Sequence, residues 1–128
     1  MVIAYSWAGQ DTGFIMPTLH DENGTYGGNF MWIVYQEFIL TSFFMLTVQY
    51  VKNIGVTSDG VLGPFTVALT IFTLGNSGGP FSGGSMNPSV SISMLTLPAL
   101  VDYEGQTYAE YLPAYLIGEF LAAIAIGF

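Results

Sequence analysis

The sequence predicts an all-α membrane protein with three transmembrane helices and one re-entrant half-helix. Hydrophobic residues make up 52% of the 128 residues and charged residues only 8%, whereas a soluble domain carries about a quarter charged residues. The mean hydropathy is +0.55. Two apolar runs, 30–51 and 108–128, are each long enough to cross a bilayer. A shorter apolar segment opens with Asn87-Pro88, a typical helix start.

The first predicted span is the run from Phe30 to Val51. Its 22 residues suit a hydrocarbon core of about 30 Å. Trp32 and Tyr35 lie near one end, and Tyr50 and Lys52 near the other, where aromatic and basic residues anchor a helix at the membrane surface.

Glu37 lies inside this span, where an unpaired carboxylate costs at least about 3 kcal/mol. We expect it to be a structural acceptor of hydrogen bonds. The competing interpretation is a proton-relay carboxylate, but no second acid and no histidine accompanies it on the same span.

The second predicted span covers about 61–78. Its apolar part ends at Leu74, so it crosses the membrane only if residues up to about Gly78 join it. The segment from Gly75 to Gly84 reads as a glycine-rich connection.

The predicted half-helix covers 88–97 and is closed by Pro98. Asn87 caps the first free N–H groups, and Pro88 loses nothing at the first helical position by lacking an N–H. Ten residues are too few to cross a bilayer. Polar backbone at membrane depth is tolerated only where it is buried in protein or lines a wet cavity, so this is a candidate pore element.

The third predicted span runs from Tyr108 to Phe128 and is interrupted by Pro113 and Glu119. Gly118 and Ala122 are four residues apart, and small residues at this spacing allow close helix packing. Glu119 is expected to face either the interior or a partner chain, and the sequence leaves the two open.

Composition also excludes several classes of function. The formal charge is −8, with one lysine and no arginine, so nucleic acid and anionic headgroups are not expected partners. The absence of cysteine excludes disulfides and thiolate metal sites. No metal, cofactor or catalytic constellation is present, so we expect no cofactor and no enzymatic activity. Residues 1–29 read as an irregular extension that fits neither a secretory signal nor a transit peptide.

Three motifs in this order resemble one repeat of the major intrinsic protein family, the aquaporins and glyceroporins. The stretch from Ser82 to Val90, SGGSMNPSV, is similar to the family's S-G-A-H-L-N-P-A-V. The stretch from Glu37 to Thr41 resembles the E-F-x-x-T opening of each repeat, and the stretch from Tyr111 to Gly118 resembles the Y-x-x-A-Q-x-x-G of the third span. The family combines two inverted repeats, each with three spans and a half-helix.

The resemblance implies roles for single residues. Asn87, in the motif with Pro88, Ser89 and Val90, would point its side-chain amide into a pore. Glu37 would support the re-entrant loop, together with Ser82 and Gly83.

The sequence also departs from the family pattern. Ser89 replaces alanine, Ser85 replaces the frequent histidine of the first repeat, and Tyr115 replaces glutamine. Val90 stands where the second repeat carries its selectivity-filter arginine. The Asn-Pro motif occurs once in the 128 residues.

We therefore expect a half-length, aquaporin-like integral membrane protein that serves as a structural, accessory subunit of a larger membrane complex and does not conduct alone. The alternative is a passive channel for water or a glycerol-like neutral solute, formed by pairing two halves. The expected partners are the lipid bilayer and other membrane subunits or a second half-repeat. The organelle stays open, and an internal membrane such as the mitochondrial inner membrane is compatible with the sequence.

Overall fold

The computed structural model describes residues 30–53, 60–100 and 108–127, which form four α-helices. These are α1 (Phe30–Asn53), α2 (Leu62–Ser82), α3 (Pro88–Leu100) and α4 (Leu112–Gly127). A turn of 3-10 helix, Tyr108–Tyr111, precedes α4. The described residues contain no strand, so the all-α fold class is confirmed. The predicted extension 1–29 lies outside the described residues.

Two of the helical segments are long and apolar enough to cross a membrane, namely Phe30–Asn53 and Ala109–Gly127. The segment Pro88–Leu97 is apolar but too short. Helix α2 has 21 residues, which reach about 31 Å at about 1.5 Å per residue. Since glycine and polar residues dominate its C-terminal third, its assignment as the second span stays a prediction.

Two helix ends differ from the sequence expectation. Helix α2 continues to Ser82, through the residues from Gly75 onward that were expected to form a loop. Glycine costs only about 1 kcal/mol relative to alanine inside a helix, and here it permits close packing: a Cβ at Gly78 would overlap the side chain of Leu40 in α1. Helix α3 ends at Leu100, three residues beyond the predicted end.

The hydrophobic core lies where α1 packs against α4, with α3 covering one side. Its buried members are Ile33, Val34, Leu95, Ala114 and Tyr115.

Helices α1 and α4 approach each other most closely at Gly118. A Cβ there would lie 2.6 Å from the carbonyl oxygen of Val34 and 3.1 Å from the backbone nitrogen of Phe38. Ala122 is fully buried one turn later on the same helix. The small residues at 118 and 122 therefore lie in the helix interface.

The outer surface of α2 suits a hydrocarbon environment. Phe65, Leu69 and Phe72 are exposed. The hydroxyl groups of Thr66, Thr70 and Thr73 each donate to the carbonyl four residues earlier, at 2.9 Å. These polar side chains carry their own hydrogen bonds, which lowers the cost of facing lipid.

Candidate functional site

Helices α2 and α3 are joined by a short loop in which three residues have a left-handed backbone: Gly83, Gly84 and Met86. Gly83 (φ 85°) ends α2, and its N–H donates to the carbonyls of Gly78 and Gly79, both at 3.2 Å. Gly84 has φ 59° and Met86 has φ 51°. Glycine adopts this region freely, whereas a left-handed Met86 costs about 1–2 kcal/mol. Other interactions must therefore hold Met86 in place.

The carboxylate of Glu37 supplies those interactions from α1. One oxygen, Oε1, accepts from the Ser82 hydroxyl at 2.6 Å and from the Ser85 N–H at 3.3 Å. The other, Oε2, accepts from the Met86 N–H at 3.0 Å. Glu37 is fully buried, so these donors replace the water that the charge has lost. Gly83 supports the loop differently, by closing α2 with its own N–H.

Helix α3 begins at the Asn-Pro pair. The side-chain oxygen of Asn87 accepts from the Ser89 N–H at 2.9 Å, and its carbonyl accepts from the N–H groups of Val90 and Ser91 at 2.9 and 3.0 Å. Pro88 has no N–H. The start of α3 is therefore capped within the chain, because every N–H group at residues 88–91 has an acceptor in the chain.

The side-chain NH₂ group of Asn87 is the donor left over at this helix start. Asn87 is exposed, and the described residues provide no acceptor for its NH₂ group. Ser89 and Val90 are exposed beside it, and Val90 has 38% of its surface accessible. Asn87, Ser89 and Val90 together make one open, uncharged surface, which we call the motif face.

A second buried carboxyl group, that of Glu119 on α4, lies behind α3. Its Oε1 atom is 2.6 Å from the Ser91 hydroxyl and 2.7 Å from the Ser85 hydroxyl. The structure thus places Glu119 in the interior, which the sequence had left open. Sequence reasoning missed Ser85 and Ser91 as its partners. The only signal was serine at position 85, where the family pattern has histidine.

Tyr115 of α4 is buried, and its hydroxyl donates to the Ser82 carbonyl at the end of α2. This residue stands where the family pattern has glutamine. Like glutamine, tyrosine offers a hydrogen-bond donor, and here that donor holds α2 against α4.

We expect Tyr115→Phe to destabilise the folded chain by about 1 kcal/mol, because one buried hydrogen bond is lost and the Ser82 carbonyl stays unpaired. Thermal unfolding in detergent measures this loss. The matched control is Tyr50→Phe, which removes a hydroxyl from an exposed residue of α1. Equal melting temperatures for the two variants would contradict the assigned role.

The described residues contain no group of three or more histidine or acidic side chains placed to hold a metal ion. The site is instead a re-entrant loop that hydrogen bonds to the buried Glu37 hold in place, and the side chain of Asn87 is its exposed group. Its chemistry is hydrogen bonding at an uncharged surface.

The sequence matches the model of a known protein family. The family model described as "Major intrinsic protein" matches residues 13–126. No curated protein and no solved structure matches the chain. The family match covers most of the 128 residues and includes every described residue of the re-entrant loop. The chain therefore belongs to the major intrinsic protein family, whose members are integral membrane channels.

Proposed function

We propose that this chain contributes half of a pore for water or a small neutral solute, completed by a second re-entrant half-helix facing Asn87. One observation carries the proposal. The Asn87 NH₂ group is exposed without an acceptor among the described residues, while the loop behind it is hydrogen-bonded to Glu37. A fixed donor on an open surface suits a passing hydroxyl or water oxygen.

The charge at the motif face supports a neutral solute. The start of α3 carries about half a positive charge from the helix dipole, which disfavours cations and protons nearby. No ionised side chain lies at Asn87, Ser89 or Val90. With valine at position 90 in place of an arginine, the narrowest part of the pore is wider and less polar. That favours a glycerol-sized solute over strict selection of water.

Osmotic swelling of vesicles that contain the purified chain tests this function. We expect faster swelling than in empty vesicles, and loss of that gain in Asn87→Trp and Val90→Trp. Val90→Trp keeps the Asn87 side chain that caps α3. Loss of swelling in this variant would therefore mean that the tryptophan blocks the motif face, and not that the helix start is disrupted. Phe43→Trp is the matched control, because it enlarges an exposed aromatic residue of α1 and should leave swelling unchanged.

Swelling that equals that of empty vesicles would refute the channel function for this chain. Swelling that survives both tryptophan variants at the motif face would show that the solute path lies elsewhere.

The second candidate is a structural subunit of a larger membrane complex. The observation that favours it is the exposed apolar surface next to the loop, formed by Phe81 of α2 and Val90 of α3. Co-purification with a large complex from native membranes, together with no swelling activity, would favour this role over the channel.

A further inference from the structure

Five buried polar side chains form one network behind the re-entrant loop. They come from all four helices and the loop, and all are at most 7% exposed: Glu37, Ser82, Ser85, Ser91 and Glu119. We call them the serine–glutamate cluster. Two carboxyl groups are thus buried in one network inside the membrane-spanning region, where charge is costly.

The cluster has more short oxygen–oxygen distances than its hydroxyl hydrogens can bridge. Ser82 and Ser85 approach Glu37 at 2.6 and 3.0 Å. Ser85 and Ser91 approach Glu119 at 2.7 and 2.6 Å, and each other at 2.7 Å. These are five hydrogen-bond distances, but three hydroxyl groups supply only three hydrogens. If both carboxyl groups were ionised, two of the five oxygen pairs would have no hydrogen between them, and their lone pairs would repel each other.

One additional proton on a carboxyl group removes one of these unfavourable pairs. We propose that Glu119 holds this proton and acts as a neutral carboxylic acid that positions the re-entrant loop. Its Oε1–H then donates to Ser85, which is left free to donate to Glu37. This gives a directed chain of hydrogen bonds from α4, through the loop, to α1.

The backbone decides which of the two acids is neutral. Glu37 accepts hydrogen bonds from the N–H groups of Ser85 and Met86. A backbone N–H group can only donate, whereas a hydroxyl group can donate or accept. Glu37 therefore keeps its role as an acceptor, and the additional proton is assigned to Glu119. The hydrogen bonds of Glu119 go to the hydroxyl groups of Ser85 and Ser91, which can rotate to accept.

Two further observations agree with a neutral Glu119. Its second oxygen, Oε2, is buried without a hydrogen-bond partner among the described residues, which is far less costly for a neutral acid than for a carboxylate. None of the side chains that hydrogen-bond in the cluster is basic: α1 contributes Glu37, and α2, the loop and α3 contribute only serines. The chain's one lysine, Lys52, is exposed at the far end of α1.

Infrared spectroscopy of the reconstituted full chain at neutral pH tests this directly, because a protonated carboxylic acid has a C=O stretching band that a carboxylate lacks. We expect such a band in the wild type. It should disappear in Glu119→Gln and persist in Glu110→Gln, the matched control at an exposed glutamate of the 3-10 turn. In Ser91→Ala the band should shift, because the acid loses one partner.

The proposal is overturned if the wild type lacks the band, if Glu119→Gln keeps it, or if Ser91→Ala leaves its frequency unchanged. Glutamine reproduces the shape of a neutral acid, so Glu119→Gln should also melt close to the wild type. A Glu119→Gln chain that fails to fold would count against the proposal.

The infrared result is independent of transport. A neutral Glu119 does not offset the partial positive charge at the start of α3. Only the effect of that charge on a passing solute rests on the proposed pore. A band without vesicle swelling would refute the pore and leave the protonation of Glu119 standing.

Discussion

Glu37→Ala is expected to destabilise the described fold more than any other single polar substitution. The change leaves the Ser82 hydroxyl and the N–H groups of Ser85 and Met86 buried without their acceptor. Each unsatisfied buried donor costs about 1–3 kcal/mol. The combined loss is comparable to the whole stability of a typical domain, about 5–15 kcal/mol.

Thermal unfolding in detergent, followed by the loss of helical circular dichroism, measures this effect. Glu37→Gln should lie between the wild type and the alanine variant, because one acceptor oxygen remains while the NH₂ group faces donors. Glu110→Ala is the control, since it removes an exposed glutamate. If Glu37→Ala melts within a few degrees of Glu110→Ala, the loop is held by something other than Glu37.

Gly118→Ala should give the second-largest loss, because the added methyl group meets backbone and not a flexible side chain. The new Cβ would lie 2.6 Å from the Val34 carbonyl oxygen and 3.1 Å from the Phe38 nitrogen. These atoms belong to α1, so the whole helix must move away from α4. Overpacking of this kind typically costs about 1–3 kcal/mol, and Gly118→Val should cost more.

The chain offers a matched control on the same helix. Gly127 lies in α4, and a Cβ added there would meet no described atom within 4 Å. Gly127→Ala should therefore be neutral or slightly stabilising through helix propensity. Melting temperatures of the two variants in the same detergent give the comparison. A Gly118→Ala chain as stable as Gly127→Ala would mean that α1 and α4 are farther apart than the structure shows.

The all-helical fold and the helix start at Asn87 could be read from the sequence because both follow from local patterns. A run of 22 apolar residues has a length that matches the membrane, and Asn-Pro has its own capping chemistry. The interior position of Glu37 was also predictable, since a carboxylate inside an apolar run needs partners.

The features that sequence reasoning missed depend on how distant segments approach one another. Residues from Gly75 to Ser82 form a helix because close packing against α1 outweighs their weak intrinsic preference. Glu119 could not be placed because its partners, Ser85 and Ser91, are 34 and 28 residues away in sequence.

The accessibility of Asn87 from water tests the central claim most directly. The 128 residues contain no cysteine, so single-cysteine variants can be labelled without background. In vesicles, a membrane-impermeant, water-soluble thiol reagent should modify Asn87→Cys and Val90→Cys at the motif face. It should not modify Phe72→Cys, which is exposed on α2 among apolar neighbours and is expected to face lipid. Labelling of positions 87 and 90 no faster than position 72 would contradict a water-filled path at the re-entrant helix.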